Sequence, residues 1–480
     1  MTPRSYLFVP ADRPERFRKA LDSGADAVIL DLEDAVAPAA KDAARDALAR
    51  WLRGPDAAPV LVRVNAEDTA IHHVRHRLGQ LTNWLDYLIE LGCNGMLLNP
   101  IFASATHGYD TLDHYAIDSR LGDDGDFGEL MWKAKERGIR ILLDGVFNHL
   151  AREHPVVQRA LAAGPDTPDG DWLRWVDGYP RVFEGHEPLV ELNFANPAVQ
   201  DFVVDIMCYW LGRGIDGWRL DAAYAPGAEA WRPIVERVKA AYPDSWLLGE
   251  VIHGDKDTFV TESGLDSVTQ YELWHAIWQS MNDRNLWSLD WALQRHRRFC
   301  EHFRPQIFVS NHDVTRISSK LDDRRHITHA AVLLTMLPGI PSIYAGDEHR
   351  FEGVKLDQVG GDNAVRPPFP PTPDGLLPFG ADTFELYRTL LGLRRRYPWI
   401  VDGVVTTRDL ANESAVVLVA GPDEVIELAL NISDTVGPMP EGEVLLCSEG
   451  CAETVPPHGW AIGVRARTEE DVPFLPRALP

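Results

Sequence analysis

Four segments place charged side chains directly after short apolar runs: ILLDGVFNH (141–149), GWRLDAAY (217–224), LLGEVIHG (247–254) and FVSNHD (308–313). Burial on both faces of a parallel sheet accounts for the apolar half of each. An acid at the carboxyl end of such a strand emerges on the face where α/β barrels build their sites. One such acid is most often a helix cap or a structural ion pair; four in order are hard to produce by chance. Clustered acids without a metal cage suit glycosidic cleavage with retention, which needs two carboxyl groups about 5 Å apart. One attacks the anomeric carbon; the other protonates the leaving oxygen and then activates water. Neighbouring carboxylates repel, so one of them stays protonated near neutral pH. Arg219 stands two residues before Asp221, so both point to the same side of a strand. A guanidinium there is expected to hold Asp221 ionised, as a nucleophile requires. Glu250 has no such cation adjacent in sequence and is the expected acid.

These residues need a scaffold that brings strand ends together. Strand-like runs fall at 6–10, 27–31, 60–65, 95–100, 139–146, 217–221, 246–251, 267–271, 307–311 and 342–344. Helical periods lie between them, including 78–91, 127–137, 198–211, 228–241 and 327–336. The alternation predicts a parallel α/β fold. Residues 150–196 are irregular and rich in Gly, Pro and Trp, which predicts a functional loop or small subdomain after a barrel strand. After residue 402 the pattern becomes short alternating strands, a small antiparallel β domain over 402–466, followed by a tail over 467–480.

Composition narrows the partners. Among 480 residues, 47 Lys and Arg face 72 Asp and Glu, a net charge of −25. Such a chain repels phosphate backbones and anionic surfaces, so neither nucleic acid nor membrane is an expected partner. No apolar run reaches the ~18 residues of a membrane span, and the first residues lack the apolar core of a secretion signal. Five Cys, mostly far apart, form no disulfide framework and fit a reducing compartment, so the cytoplasm is expected. Cys447 and Cys451 are close, but no second Cys or His pair completes a zinc site. The fifteen Trp fit either cores or sugar sites.

Taken together and in this order, the four segments resemble the signature regions of the α-amylase superfamily, glycoside hydrolase family 13, over about residues 76–465. The resemblance implies a (β/α)8 TIM barrel with a short subdomain inserted after strand three and a C-terminal β domain. It also implies roles. Asp221 resembles the nucleophile, Glu250 the general acid/base and Asp313 the third acid, which grips sugar hydroxyls. Arg219 resembles the arginine that orients the nucleophile. His149 and His312 resemble the histidines that hydrogen-bond the sugar, and Asp144 and Asn148 the structural members of the first region. In THGYDTLDHY (106–115), Tyr109 would stack on the sugar ring with His107 nearby. Asp110 and Arg316 resemble a pair that closes the site behind a non-reducing-end glucose, which favours exo action on short substrates. LVELNFANP (189–197) resembles the family's fifth region and GIPSIYAGDE (339–348) its eighth strand. Trp172, Trp175, Tyr179 and Phe183 are candidates for outer sugar platforms or for a small subdomain core. Some members bind calcium, but no oxygen cage is visible, so no metal or cofactor is assigned. The implied partner is an α-linked glucose oligosaccharide or disaccharide, with hydrolysis versus transfer, and the oligomeric state, left open.

The front does not fit that picture. SYLFVPADRPERFRKALDSGADAVILDLEDAVAPAAKDAAR, followed by PVLVRVNA, resembles the start of the citrate lyase β-subunit and malyl-CoA lyase family. Arg63 matches that family's substrate-carboxylate arginine, but its later magnesium-binding acids have no counterpart here. The amylase-like region likewise lacks a first strand before His76. Residues 1–70 are therefore expected to form a βαβαβ segment ahead of a barrel over 71–401. Its last strand, 59–65, is expected to fill the first barrel position. A CoA-thioester lyase and an impaired sugar-binding barrel are the alternative functions.

Overall fold

The computed structural model describes residues 6–23, 25, 27–31, 36, 40–52, 61–63, 77–358, 360–376 and 378–474. They fall into two compact units, Met1–Arg77 and Leu78–Pro480. In the first, β1 (Tyr6–Pro10), β2 (Ala27–Asp31) and β3 (Leu61–Arg63) form a parallel sheet in sequence order. Helices Phe17–Leu21 and Lys41–Leu52 form the crossovers. Val9, Phe17, Val28, Leu30 and Leu48 are its core. This is the expected βαβαβ segment. β3 hydrogen-bonds β2 from Ile29–Leu61 to Asp31–Arg63; residues 59, 60, 64 and 65 of the expected strand, and the Arg63 side chain, lie outside the described residues.

The second unit opens with helical residues 78–91 and continues with β4 (Gly95–Leu98), then a hairpin of β5 (Phe102–Ser104) and β6 (Thr111–Ile117), then β7 (Arg140–Gly145). The inserted region holds β8 (His149–Ala151), β9 (Trp175–Val176), β10 (Tyr179–Pro180) and β11 (Leu189–Glu191). β11 returns to pair with β8, which closes the insertion at its root. Parallel strands β12 (Gly217–Leu220), β13 (Trp246–Gly249), β14 (Ser267–Val268), β15 (Gln306–Ile307) and β16 (Ile340–Pro341) follow, separated by helices. In space the order is β4-β7-β12-β13-β14. A single bridge, Thr269–Gln306, carries the sheet on to β15, which pairs with β16. The described residues thus supply seven consecutive barrel strands, and among them no ladder joins β16 to β4. The expected (β/α)8 architecture is represented by seven of its strands among the described residues.

Burial follows the ladder. Every residue of β12 is buried, and Gly217 lets β13 approach: a Cβ there would lie 2.0 Å from the Trp246 carbonyl oxygen. Trp210, Trp218 and Trp231 anchor the core beneath it. At the two ends of the array the side chains are wetter, with Leu97 of β4 36% exposed and Ile340 and Pro341 of β16 half-buried. Helix starts follow local chemistry. Asn196 caps Pro197–Gly212, whose first residue is Pro, and Asp123 with Asp126 forms a capping box on Asp124–Glu136. The C-terminal sheet is antiparallel: β17 (Val404–Arg408), β18 (Ser414–Ala420), β19 (Glu424–Asn431), β20 (Glu443–Cys447) and β21 (Trp460–Ala466), ordered β17-β18-β19-β21-β20. It is the small antiparallel β domain expected after residue 402.

Candidate active site

The last rungs of the parallel ladder set the acids in place. Asp221 follows β12, and its amide donates to the Gly145 carbonyl of β7; Glu250 follows β13, and its amide donates to the Leu220 carbonyl of β12. Arg219 points into the barrel directly opposite Asp144 across the β12–β7 register. Its guanidinium is the hub. Nη1 donates to both Asp144 oxygens at 2.7 and 2.6 Å and to Asp221 Oδ1 at 3.2 Å. Nη2 lies 2.8 Å from Glu250 Oε1 and 4.0 Å from Asp313 Oδ2. The three acids expected to act together, and the structural Asp144, therefore surround one cation.

That geometry corrects the basis on which Asp221 and Glu250 were told apart. Glu250 does have a cation beside it, because the guanidinium reaches across to the next strand, a proximity invisible to sequence spacing. Nor does Arg219 alone keep Asp221 ionised. Burial, followed by Glu250, Asp144 and Asp313, pushes the Asp221 pKa well up, with Arg219 opposing. Burial likewise raises Asp144 to about 6 against Arg219. The cluster carries more acids than cations, so protons are shared among its members.

Glu250 has neutral partners as well. Its Oε2 accepts from the Ala222 amide at 3.0 Å and its Oε1 from the Tyr271 hydroxyl at 3.0 Å. Ala222 takes a left-handed φ of 46°, uncommon for a residue with a Cβ, directly after Asp221. Asn311 in turn donates to the Tyr271 hydroxyl oxygen at 2.8 Å.

Asp313 is held by His312 Nε2 at 3.0 Å and Arg366 Nη2 at 3.1 Å. Tyr109 stacks on His312, ring centroids 5.4 Å apart and 9° from parallel. Its hydroxyl donates to Asp144 Oδ2 at 2.9 Å and lies 2.6 Å from His312 Nε2. His149 donates through Nε2 to the Tyr109 carbonyl at 3.1 Å, while Asn148 donates to its Nδ1 at 3.2 Å. Burial depresses both histidines, His149 to about 4, so both rings are neutral at pH 7. His107 is exposed at the rim, its ring 6.0 Å from Tyr109.

One expected pair does not form. Asp110 accepts from the Thr106 amide at 3.1 Å and hydroxyl at 2.5 Å. Arg316, 1% exposed, donates to Asp347 Oδ1 at 2.9 Å and to the Val365 and Ala345 carbonyls, with Tyr344 4.2 Å from its guanidinium. Each is committed elsewhere, so the Asp110–Arg316 closure, and the exo preference drawn from it, loses its structural basis. Of the candidate platforms, Trp172 and Trp175 pack against the main core. Phe183 stacks on His149 at 4.6 Å, at the edge of the site, and Tyr179 is 77% exposed. Sequence reasoning missed Tyr271 and Arg366. Tyr271 opens a helix whose facing strand was recognisable, but Arg366 sits in a Gly- and Pro-rich stretch that carries no signal of its destination.

Residues 75–370 match the family described as α-amylase, catalytic domain, and residues 4–80 match the HpcH/HpaI aldolase/citrate lyase family. A cyclomaltodextrinase from a Bacillus species is 32% identical over 286 residues, 56% of this chain and 51% of that protein. The intracellular maltogenic amylase of Bacillus subtilis is 38% identical over 177 residues, 35% and 30% of the two chains. This chain thus spans about half or less of the length of these two relatives. The ligand-free cyclic α-maltosyl-(1→6)-maltose hydrolase of Arthrobacter globiformis superposes with a TM-score of 0.70 at 25% identity, covering 81% of this chain and 89% of that one. The α-amylase of H. orenii shares the fold at 22% identity, with a TM-score of 0.71 and 81% and 95% coverage. With more than half of its length matching the catalytic-domain family, this chain belongs to the α-amylase family, glycoside hydrolase family 13.

Proposed function

We propose that the protein is a retaining α-glucoside hydrolase, also able to transfer glucosyl units, acting on short α-glucans or α-linked disaccharides. The observation that carries this reading is the placement of Asp221 and Glu250 at the ends of adjacent parallel strands, both bound to Arg219. In the proposed reaction, an Asp221 oxygen attacks the anomeric carbon as the glycosidic C–O bond breaks. Glu250 gives its proton to the departing oxygen. The glycosyl–Asp221 ester is then opened by water or by a sugar hydroxyl, which returns its proton to Glu250. Two inversions at one carbon retain its configuration. Asp313, steadied by His312 and Arg366, is the group proposed to hold ring hydroxyls, with the Tyr109 face beside it as the stacking surface.

The names of the relatives support maltodextrin-like substrates, and the word intracellular in one of them, with five free thiols here, supports the cytoplasm. The test is proton NMR of the first product from maltotriose or a nitrophenyl α-glucoside. The α-anomer is expected to appear first, and Asp221→Asn is expected to lower turnover about 10⁴-fold or more. An initial β-anomer, or turnover that survives the substitution, overturns the reading.

A further inference from the structure

Outside the four motifs, Asp323, His326 and His458 converge where the helix Ile327–Met336 meets the β domain. We infer that these three side chains form a site for a borderline first-row divalent cation, Zn²⁺ above all, that ties barrel to β domain.

Asp323 caps the short turn Arg324–His326 ahead of that helix, His326 ends it, and His458 comes from the turn before β21. His326 Nε2 lies 3.0 Å from His458 Nδ1, and His458 Nδ1 lies 3.8 Å from Asp323 Oδ2. All three donor atoms fall within 4.8 Å of one another, the one such grouping of three or more His, Cys, Asp or Glu found among the described residues. Around a tetrahedral Zn²⁺ with bonds of ~2.0–2.2 Å, donor atoms stand ~3.3 Å apart. The observed spacings bracket that value.

The donor behind the donor is present too. His458 Nε2 lies 2.8 Å from Asp434 Oδ1, so the Nε2–H donates there and the Nδ1 lone pair faces His326 and Asp323. A carboxylate behind an imidazole is the usual support for a zinc-binding histidine. His458 is held there by a left-handed backbone, φ 54°, which a residue with a Cβ adopts at some cost. His326 is buried at 3% exposure, so its ring is fixed in place beside His458. Asp323, with its side chain 30% exposed, leaves one side open to water as a fourth ligand.

The local charge tolerates a dication. Asp323, Asp434 and Glu413 outnumber Arg325 and Arg284, which bind them. Two imidazoles and one carboxylate suit Zn²⁺, Co²⁺ or Cu²⁺ better than the oxygen-seeking Ca²⁺ or Mg²⁺. His329, whose Nε2 lies near the Asn431 and Gly459 carbonyls, stands beside the site without entering it. No sequence rule finds these ligands, because 132 residues separate the two histidines.

The test uses the purified full chain, stripped with EDTA and titrated with ZnCl2. One tightly held zinc per chain is expected, with the melting temperature rising by about 2–5 °C. Co²⁺ in its place is expected to give the visible bands of a tetrahedral ion. His458→Gln is expected to abolish stoichiometric binding. Asp434→Asn, at a side chain 71% exposed, is expected to weaken it about 10–100-fold. Circular dichroism confirms that each variant is folded. Failure of the intact chain to retain zinc, or undiminished binding by folded His458→Gln, overturns the site.

Discussion

Arg219 and Arg316 are both buried in the same barrel, each beside an aspartate, yet their surroundings differ in one respect. Arg316 meets a single carboxylate, Asp347, and spends its remaining donors on the Val365 and Ala345 carbonyls under the Tyr344 ring. Arg219 meets three carboxylates within 3.2 Å and a fourth at 4.0 Å. The first arrangement balances charge and has no reason to change. The second holds an excess of negative charge, so its protons and partners can redistribute when a substrate arrives. Surplus acid around one cation distinguishes a reactive constellation from a structural ion pair, even where both are equally buried.

The largest effects come from breaking each side in turn. Asp221→Asn removes one competing carboxylate and is expected to abolish turnover while leaving the melting temperature unchanged or higher. Arg316→Met strands Asp347 as a buried unpaired acid and is expected to cost about 3–5 kcal/mol in denaturant unfolding, with kcat/KM of the remaining folded enzyme little altered. If Asp221→Asn proved as destabilising as Arg316→Met, the contrast would fail.

A smaller effect tests what the two sites share. Burial raises both Asp144 and Asp347 to about 6, from an unfolded value near 3.9. A raised acid stabilises the fold while protonated, so this contribution is complete below about pH 4 and is lost as pH rises through 6. Asp144→Asn and Asp347→Asn are each expected to flatten the decline in unfolding free energy between those limits, by on the order of 2–3 kcal/mol. Unchanged slopes in urea melts across that range would contradict the assigned burial. Smallest is Tyr271→Phe, which deletes one hydroxyl from Glu250; kcat/KM is expected to fall about tenfold with KM unchanged. An equal loss in Glu250→Gln and in the double variant would confirm that Tyr271 acts through Glu250.

Much of this was legible in the chain. Strand-then-acid motifs located Asp144, Asp221, Glu250 and Asp313, because a parallel sheet buried on both faces leaves a continuous apolar run with a polar end. The five C-terminal strands were legible from alternation. What escaped depends on register and on distant chain returning. Arg219 reaches Glu250 because β12 and β13 lie side by side, and no spacing along the sequence encodes that reach. Arg316 resembled a substrate clamp by its position three residues after Asp313, but Asp347, from the far end of the barrel, claims it. Arg366 and the Asp323–His326–His458 grouping arise from segments without periodicity, where chain path alone decides which atoms meet.

The wetter ends of the strand array bear on how the molecule opens. β4 and β16 are each laddered, among the described residues, to one neighbour only, whereas β7, β12 and β13 have a partner on both sides. Amides at a one-sided strand exchange with solvent deuterium through small local fluctuations, while those of a two-sided strand wait for a larger excursion. Asp144, Asp221 and Glu250, on or directly after the doubly paired strands β7, β12 and β13, therefore lie in the part of the sheet whose amides exchange last.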